Sequence, residues 1–296
     1  MALGELGRRI VVAVAGIPLA VLLVYAGGWA LGLALASIAA GGAVELYRMA
    51  EHTGVRPFVA TGAILAALLV LIPVVVPDGG LVTRYSWTIT FGATLLLSAG
   101  ALLARGVTGA PLGSMAVTLV GGLLIGGALS YAVLLRQLGG DAVSDPWQGA
   151  ALVAYPVTLA WCGDAFAYFA GRAWGRRKLI PKISPGKTVE GAIANFAGTV
   201  LLGAVYGWLV FGRWHGLPIG AMAGAIGGVI VSPAAQVGDL VASLLKREAG
   251  VKDSGRLFPG HGGILDRFDS LIFAVPVAFW YLSTVLPLWH PELPWR

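Results

Sequence analysis

The stretch of sequence that decides the fold is Leu217-Pro-Ile-Gly-Ala-Met-Ala-Gly-Ala-Ile-Gly-Gly-Val-Ile-Val-Ser-Pro-Ala-Ala-Gln-Val-Gly238, which contains no charged residue and ends against Asp239. A helix needs about 20 predominantly apolar residues to cross the hydrocarbon core of a bilayer, which is roughly 30 Å thick. This stretch is long enough, and its glycines are typical of membrane helices that approach one another through small residues. We therefore predict a transmembrane helix over 217–238.

Apolar runs of similar length recur along the whole chain. The other predicted spans are 9–27, 28–47, 58–77, 86–104, 115–135, 149–171, 192–211 and 268–289. Hydrophobic residues make up 57% of the chain and charged residues 11%, and the mean hydropathy is +0.83, far from the averages of soluble domains. We expect an all-α integral membrane protein with about nine transmembrane helices, located in the cell membrane.

The basic residues predict how these spans are oriented. With the N-terminus in the cytoplasm, all but four of the 20 Lys and Arg residues fall in loops on the cytoplasmic side. The exceptions are Arg84, Arg136, Arg213 and Arg296. Because cytoplasmic loops carry an excess of Lys and Arg, we predict a cytoplasmic N-terminus and a C-terminus on the opposite side. Topology then accounts for the net charge of +6, so we expect lipid headgroups and phosphate substrates as partners and no nucleic acid.

Polar residues are concentrated in the second half of the chain. We therefore predict a scaffold of about five spans over 1–148 and a catalytic region over 149–296, with cytoplasmic loops at 172–191 and 239–269. Asp164 lies in the middle of span 149–171, where an ionisable side chain faces the protein interior or a polar cavity by default. Glu45 lies near the cytoplasmic end of its span beside Arg48, and we interpret it as a structural residue whose carboxylate reaches the interface.

The loop 239–269 has the highest density of polar residues. Glycines flank His261, which lets the backbone bend tightly and present N–H groups to an anion. Asp266 and Asp269 are three residues apart at the start of an apolar run, so on a helix they would share one face. Carboxylates at such a position are costly unless they bind a cation or another partner.

Asp239 ends the preceding span, and on one continuing helix it aligns with Ser243 and Lys246. Carboxylates from two neighbouring helix ends, Asp239 and Asp266, form a plausible magnesium–nucleotide site, because Mg²⁺ takes one or two carboxylates together with water and phosphate oxygens. The alternative is that both carboxylates are helix caps or ion-pair partners of Lys246 and Arg267.

The loop 172–191 contains Ser184-Pro-Gly-Lys-Thr188. The spacing of a P-loop fails because position 181 is proline. Ser184, Lys187 and Thr188 still offer hydrogen-bond donors to phosphate oxygens. Alternatively, Ser184 or Thr188 caps a helix that begins near Glu190.

These motifs together resemble the signature of the phosphatidate cytidylyltransferase (CDP-diacylglycerol synthase) family. The matching segments are Ser243-x-x-Lys-Arg247, Lys252-Asp-Ser254, Pro259-Gly-His-Gly-Gly-x-x-Asp-Arg-x-Asp269, Gly238-Asp239, Ser184-Pro-x-Lys-Thr-x-Glu-Gly191 and Asp164-x-x-Ala-Tyr168. They cover about the last 140 residues, whereas the first half resembles the family only in being several apolar helices.

The resemblance implies transfer of CMP from CTP to phosphatidate, giving CDP-diacylglycerol and pyrophosphate, with magnesium required. It also implies a polar cavity on the cytoplasmic side that is open to the bilayer. The metal ligands would be Asp239 and Asp266, and the catalytic residues would be these two together with Lys246 and Arg267. The expected substrate-binding residues are Asp164, Ser184, Lys187, Thr188, Glu190, Ser243, Arg247, Lys252, Asp253, His261 and Asp269.

Within this set His261 is expected to contact phosphate or support the loop rather than act as a base, because the phosphate nucleophile is already ionised at neutral pH. Two other functions compete with this one. A CTP-dependent polyprenol or phytol kinase has a related membrane region but transfers the γ-phosphate. A transporter would also have many spans, but it needs polar residues along a crossing path, and here they gather at one face. The glycine-rich spans make a homodimer reasonable.

Overall fold

A computed structural model describes residues 5–76, 78–140, 145–255, 262–290 and 292–293, with side chains described from residue 14 onward except residue 15. The helices are α1 Glu5–Ala26, α2 Gly28–His52, α3 Val59–Val75, α4 Gly79–Ala104, α5 Pro111–Gly121, α6 Ala128–Gln137, α7 Pro146–Trp174, α8 Val189–Val205, α9 Ala221–Glu248, α10 Leu265–Phe268 and α11 Leu271–Trp280. The strands are β1 Lys178–Ile180 and β2 Ser184–Thr188. Wider π-helical segments lie at Gly122–Gly127, Tyr206–Trp214 and Tyr281–Val285.

The helices fit the prediction of a multi-pass membrane protein. Among the described residues, seven helical stretches are long and apolar enough to cross a membrane: Gly28–His52, Gly79–Ala104, Pro111–Gln137, Pro146–Trp174, Val189–Trp214, Ala221–Glu248 and Leu265–Leu288. The predicted span 9–27 lies within α1 Glu5–Ala26, whose side chains are described only in part, and the predicted span 58–77 falls on the shorter apolar helix Val59–Val75. The predicted number of nine is therefore not confirmed.

The first of two compact units comprises Met1–Leu134 and Leu245–Phe268. Its core includes buried side chains of α3 and α4, namely Leu65, Leu69, Ile72, Val82 and Ala93. The buried hydroxyl of Tyr47, on α2, donates to the carbonyl of Thr118 at 2.7 Å. The later part of the chain enters this unit where α10 packs against α2.

The second unit comprises Leu135–Leu244 and Asp269–Arg296. In it α7 packs against both α8 and α11. Glycines bring α8 and its π-helical extension close to α9: Gly203 and Gly207 lie against Gly224. A Cβ added to Gly228 would lie 2.7 Å from the carbonyl oxygen of Thr199. This is the close approach through small residues that the glycine-rich spans predicted.

Buried tyrosines connect the helices of the second unit. Tyr155 donates to the carbonyl of Gly224 at 2.6 Å, and Tyr281 donates to that of Ala223 at 2.6 Å. Tyr206 donates to the carbonyl of Ala151 at 2.9 Å. Each polar tip thereby gains a partner in an environment where an unpaired polar group is costly.

Candidate active site

The C-terminal part of α9 carries the first group of predicted site residues. The helix runs unbroken to Glu248, so Asp239, Ser243 and Lys246 lie on one helix as predicted. Lys187 Nζ pairs with Asp239 Oδ2 at 2.5 Å, and about a quarter of each side chain is exposed. The Ser243 hydroxyl lies 3.4 Å from Asp239 Oδ1 and donates to it.

Asp164, on α7, joins this group. Its half-buried carboxyl interacts electrostatically with Asp239 and Lys187. We call Asp164, Lys187, Asp239 and Ser243 the Asp239 cluster. Two carboxylates and one ammonium leave the cluster with a net negative charge when all are ionised, which favours a further cation beside Asp239.

A small hairpin positions Lys187. Strands β1 and β2 are antiparallel, with Lys178 opposite Thr188 and Ile180 opposite Ser184. A hairpin was not part of the all-α prediction. It is a local departure from helix in a loop whose Pro181 and Pro185 disfavour helical continuation.

Thr188 and Glu190 fix the start of α8. The Thr188 hydroxyl accepts from the N–H of Gly191 at 3.1 Å, which confirms the capping alternative for this residue. The Glu190 carboxylate accepts from the N–H of Arg176 at 3.1 Å and from that of Arg177 at 3.3 Å. Both residues therefore hold the base of the hairpin that carries Lys187.

A buried amide network lies on the helices that flank the Asp239 cluster. Asn195 Oδ1 accepts from the hydroxyl of Ser232 at 2.9 Å and from Gln236 Nε2 at 3.3 Å. The Thr199 hydroxyl, one turn along α8, is 3.4 Å away. Asn195 is only 3% exposed, so the network fastens α8 to α9 inside the unit. Sequence analysis missed it, although amide and hydroxyl side chains inside apolar runs were a visible signal.

The second group of site residues lies in the first unit, and we call Glu45, Lys246, Ser254 and Asp266 the Asp266 cluster. Lys246 Nζ pairs with Asp266 Oδ1 at 2.7 Å, with side chains only 13% and 7% exposed. The other oxygen, Oδ2, accepts from the N–H of Ser254 at 2.8 Å, from that of Gly263 at 3.0 Å and lies 3.1 Å from the Ser254 hydroxyl. The ion-pair alternative for Asp266 and Lys246 is thus confirmed.

Glu45 was predicted to be a structural residue whose carboxylate reaches the interface, and the second part of that prediction is wrong. The residue is only 7% exposed. It accepts from the N–H groups of Ile264 and Leu265, both at 2.9 Å, and from the hydroxyl of Ser254 at 2.7 Å. The partners are more than 200 residues away in sequence, so local pattern carried no signal of them.

Asp269 is not on the helix that carries Asp266. Residues 269–270 form a turn between α10 and α11, and Asp269 Oδ1 accepts from the N–H of Ser270 at 2.7 Å. The predicted shared helix face of Asp266 and Asp269 is therefore wrong, because the helix is interrupted between them. The turn lies where Gly238 packs against the Asp269 carbonyl.

The remaining predicted residues are at the surface or outside the description. Arg247, Lys252, Asp253 and Arg267 are exposed, and Arg247 Nη1 donates to the carbonyl of Val251 at 3.3 Å. Ser184 is half-buried in β2. His261 lies outside the described residues.

The donor atoms decide how a magnesium ion would fit. Within the described ranges, no group of three or more His, Cys, Asp or Glu side chains could hold a metal ion, but Mg²⁺ bound to a nucleotide needs only one or two carboxylates. Asp239 fits, because among the described residues one side chain contacts each of its oxygens, Lys187 at Oδ2 and Ser243 at Oδ1. At Asp266 only Oδ1 fits, since two N–H donors and the Ser254 hydroxyl oxygen already surround Oδ2.

Comparison with known proteins places this arrangement in a family. The model of the cytidylyltransferase family matches residues 7–285. The chain belongs to the cytidylyltransferase family. The phosphatidate cytidylyltransferase of Synechocystis sp. is 33% identical over 306 residues, covering 95% of this chain and 98% of that protein.

Shorter matches agree with this family assignment. The phosphatidate cytidylyltransferase of Bacillus subtilis is 40% identical over 161 residues, or 54% of this chain and 55% of that protein. The one from Haemophilus influenzae is 42% identical over 146 residues, or 48% of this chain and 49% of that protein. The family resemblance inferred from the motifs is thus confirmed.

Proposed function

We propose that this chain is a phosphatidate cytidylyltransferase that transfers CMP from CTP to phosphatidate, giving CDP-diacylglycerol and pyrophosphate for phospholipid synthesis. The observation that carries the proposal is the match to the Synechocystis enzyme of that name along 98% of its length. The charged clusters support it, because each contains a lysine that can offset phosphate charge and a carboxylate of the kind that Mg²⁺ binds. The polyprenol or phytol kinase alternative is not favoured.

The chemical step is an in-line displacement at phosphorus. A phosphate oxygen of phosphatidate attacks the α-phosphorus of CTP. One P–O bond forms there, and the bond to the bridging oxygen of the β-phosphate breaks, so that pyrophosphate leaves with the bonding electrons. The attacking phosphate is ionised at neutral pH, and no residue needs to act as a base. Catalysis then consists of positioning and of offsetting negative charge.

Lys187 and Lys246 are the groups we propose for offsetting that charge. Asp239 and Asp266 hold their ammonium groups in place before substrate arrives, which lowers the entropy lost when a flexible lysine binds phosphate. Arg267 and Ser184 are proposed to contact phosphate from the exposed surface and the hairpin, respectively. Thr188 and Glu190 act through Lys187, because their contacts fix the hairpin.

Magnesium is part of the proposal, with Asp239 and Asp266 as its protein ligands. When bound, the ion would neutralise charge on the phosphate oxygens and polarise the phosphorus centre. This assignment is supported by the two oxygens of Asp239 and by Oδ1 of Asp266. Among the described residues, one side chain contacts each of these oxygens.

Membrane orientation completes the proposal. We place the N-terminus and the loops 172–191 and 239–269 in the cytoplasm, because these loops are rich in Lys and Arg. CTP then binds from the cytoplasm, and phosphatidate enters laterally from the bilayer. Assembly as a homodimer stays a prediction.

The products test the proposed reaction. Purified protein in detergent is supplied with CTP, phosphatidate and magnesium, and the nucleotide and phosphate products are separated by ion-exchange chromatography. We expect pyrophosphate and CDP-diacylglycerol in equal amounts. Release of CDP without pyrophosphate would assign the protein to the kinases instead.

A further inference from the structure

Glu45 lies in the half of the chain that contains none of the predicted catalytic motifs, yet it is tied to the second half. Its carboxylate accepts the hydroxyl of Ser254 and the N–H groups of Ile264 and Leu265. In the sequence, the Ser254 donor precedes the glycine-rich segment around His261, and the Ile264 and Leu265 donors follow it. One buried side chain therefore binds residues on both sides of this segment.

The surroundings of Glu45 are built for a carboxylate. A Cβ added to Gly255 or Gly263 would collide with its carboxyl oxygens, so both glycines allow the backbone to approach closely. Among the described residues no Lys or Arg pairs with Glu45, and N–H and O–H groups stabilise its charge. Removing one partner of such a hydrogen bond lowers the free energy of unfolding, because a buried polar group is left unsatisfied.

Ser254 connects Glu45 to Asp266. Its hydroxyl lies 2.7 Å from Glu45 Oε2 and 3.1 Å from Asp266 Oδ2, and a hydroxyl has one proton to donate. The shorter distance assigns that proton to Glu45, while the N–H of Ser254 donates to Asp266. The N–H of Gly263 donates to the same Asp266 oxygen. Ser254 thus binds both carboxylates. Gly263, whose N–H binds Asp266, is followed directly by Ile264, whose N–H binds Glu45.

We propose that Glu45 is a positioning residue for cytidylyl transfer, which rests on the function proposed above. It does not touch substrate. By fixing Ser254 and the start of α10, it sets the position of Asp266 and, through the Asp266 ion pair, of Lys246. The first half of the chain is then part of the active-site machinery rather than a scaffold alone.

Conservative substitutions separate this role from simple folding. Glu45→Gln keeps the shape but replaces one acceptor oxygen by an NH₂ group, which turns a donor toward the donors of the loop. Glu45→Asp keeps the charge on a shorter side chain and should restore part of the loss. Glu51→Gln is the matched control, because Glu51 lies on the same helix with its side chain exposed.

The rate of trypsin cleavage after Lys252 measures how often the backbone next to Ser254 opens. Lys252 is exposed and precedes Ser254 by two residues. When cleavage is slower than reclosing, its rate follows the population of the open loop. We expect cleavage of Glu45→Gln to be roughly tenfold faster than that of wild type, within the range for one unsatisfied buried donor, and cleavage of Glu51→Gln to be unchanged.

Steady-state kinetics read the consequence for the reaction. Because Asp266 and Lys246 are proposed to act on the transition state, Glu45→Gln should lower kcat about tenfold or more while KM for CTP changes less than about threefold. Glu45→Asp should fall between Glu45→Gln and wild type in both assays. Size-exclusion profiles in detergent identify any variant that has not folded. If Glu45→Gln has not folded, Glu45→Asp is compared with wild type in its place.

Two results would overturn the proposal. One is a Lys252 cleavage rate in Glu45→Gln equal to that of Glu51→Gln. The other is faster cleavage with kcat unchanged, which would leave Glu45 as a loop anchor without a role in positioning. Wild-type protein that makes no CDP-diacylglycerol contradicts the proposed function itself, and the wild-type assay identifies that failure before any variant is compared.

Discussion

Replacing Asp239 and Asp266 by asparagine, one at a time, should lower activity about 100-fold in both cases but destabilise the protein in only one. Each substitution removes the carboxylate that pairs with a lysine of the proposed site. Losing a preorganised electrostatic group of this kind costs on the order of 100-fold in kcat. Their effects on stability differ because the two ion pairs differ in burial and in the number of hydrogen bonds.

At Asp266 the cost in stability should be large. The pair with Lys246 is mostly buried, so Asp266→Asn leaves a buried ammonium without its counter-charge. The asparagine NH₂ group must also face either Lys246 or the N–H groups of Ser254 and Gly263. Breaking one partner of a buried ion pair typically costs about 3–5 kcal/mol, and we expect about 3 kcal/mol here because the asparagine oxygen keeps some of the bonds.

At Asp239 the cost should be small. Its side chain and that of Lys187 are 25% and 27% exposed, so solvent screens the pair and can hydrate either group after the substitution. Partly exposed pairs contribute about 0–1 kcal/mol. We expect Asp239→Asn to lie within about 1 kcal/mol of wild type.

Unfolding by SDS from mixed micelles measures both free energies, with Glu51→Gln as the control, and CDP-diacylglycerol formation is measured on the same samples. The expected outcome is two variants with about 100-fold lower activity, of which only Asp266→Asn is clearly less stable. Equal destabilisation of both would refute the reasoning from burial. Full activity in Asp239→Asn would remove Asp239 from the proposed site.

Three further predictions concern the helices and their orientation. Asn195→Ala should cost about 1–2 kcal/mol in the same SDS titration, since three side chains lose an acceptor and such bonds in membranes average about 0.6 kcal/mol each; unchanged stability would contradict this. Gly228→Ala should destabilise by about 1–3 kcal/mol through overpacking against the facing helix, whereas Gly220→Ala, with open space around its Cβ position, should not. In a cysteine-free background, Lys182→Cys should react with an impermeant maleimide only from the cytoplasmic side and Arg84→Cys only from the other side; the reverse would invert the predicted topology.

The sequence predicted well those features that depend on local pattern. Apolar length located the long helices, because backbone groups in hydrocarbon must bond within their own segment. Helical spacing placed Asp239 and Ser243 in contact on α9, and the residue types at Ser184 and Thr188 offered a helix cap, which Thr188 provides. The motif resemblance indicated the family that the comparisons support.

Features that depend on distant partners could not be predicted in the same way. The carboxylate of Glu45 looked like one that reaches the interface, because its partners lie more than 200 residues away. The Asn195 network requires knowing which faces of α8 and α9 meet. The break between Asp266 and Asp269 depends on the turn at 269–270 and on the close packing of Gly238 against it, and neither leaves a helix-stop signal in the sequence.

The most direct test of the central claim follows the α-phosphorus of CTP. Purified protein in liposomes containing phosphatidate is given magnesium and CTP labelled at the α-phosphorus, and the lipid is extracted and counted. The account predicts label in a lipid that migrates as CDP-diacylglycerol, formed about 100-fold more slowly when Asp239→Asn replaces the wild-type protein. Label that stays entirely in water-soluble nucleotide, with every divalent cation tried, would contradict it.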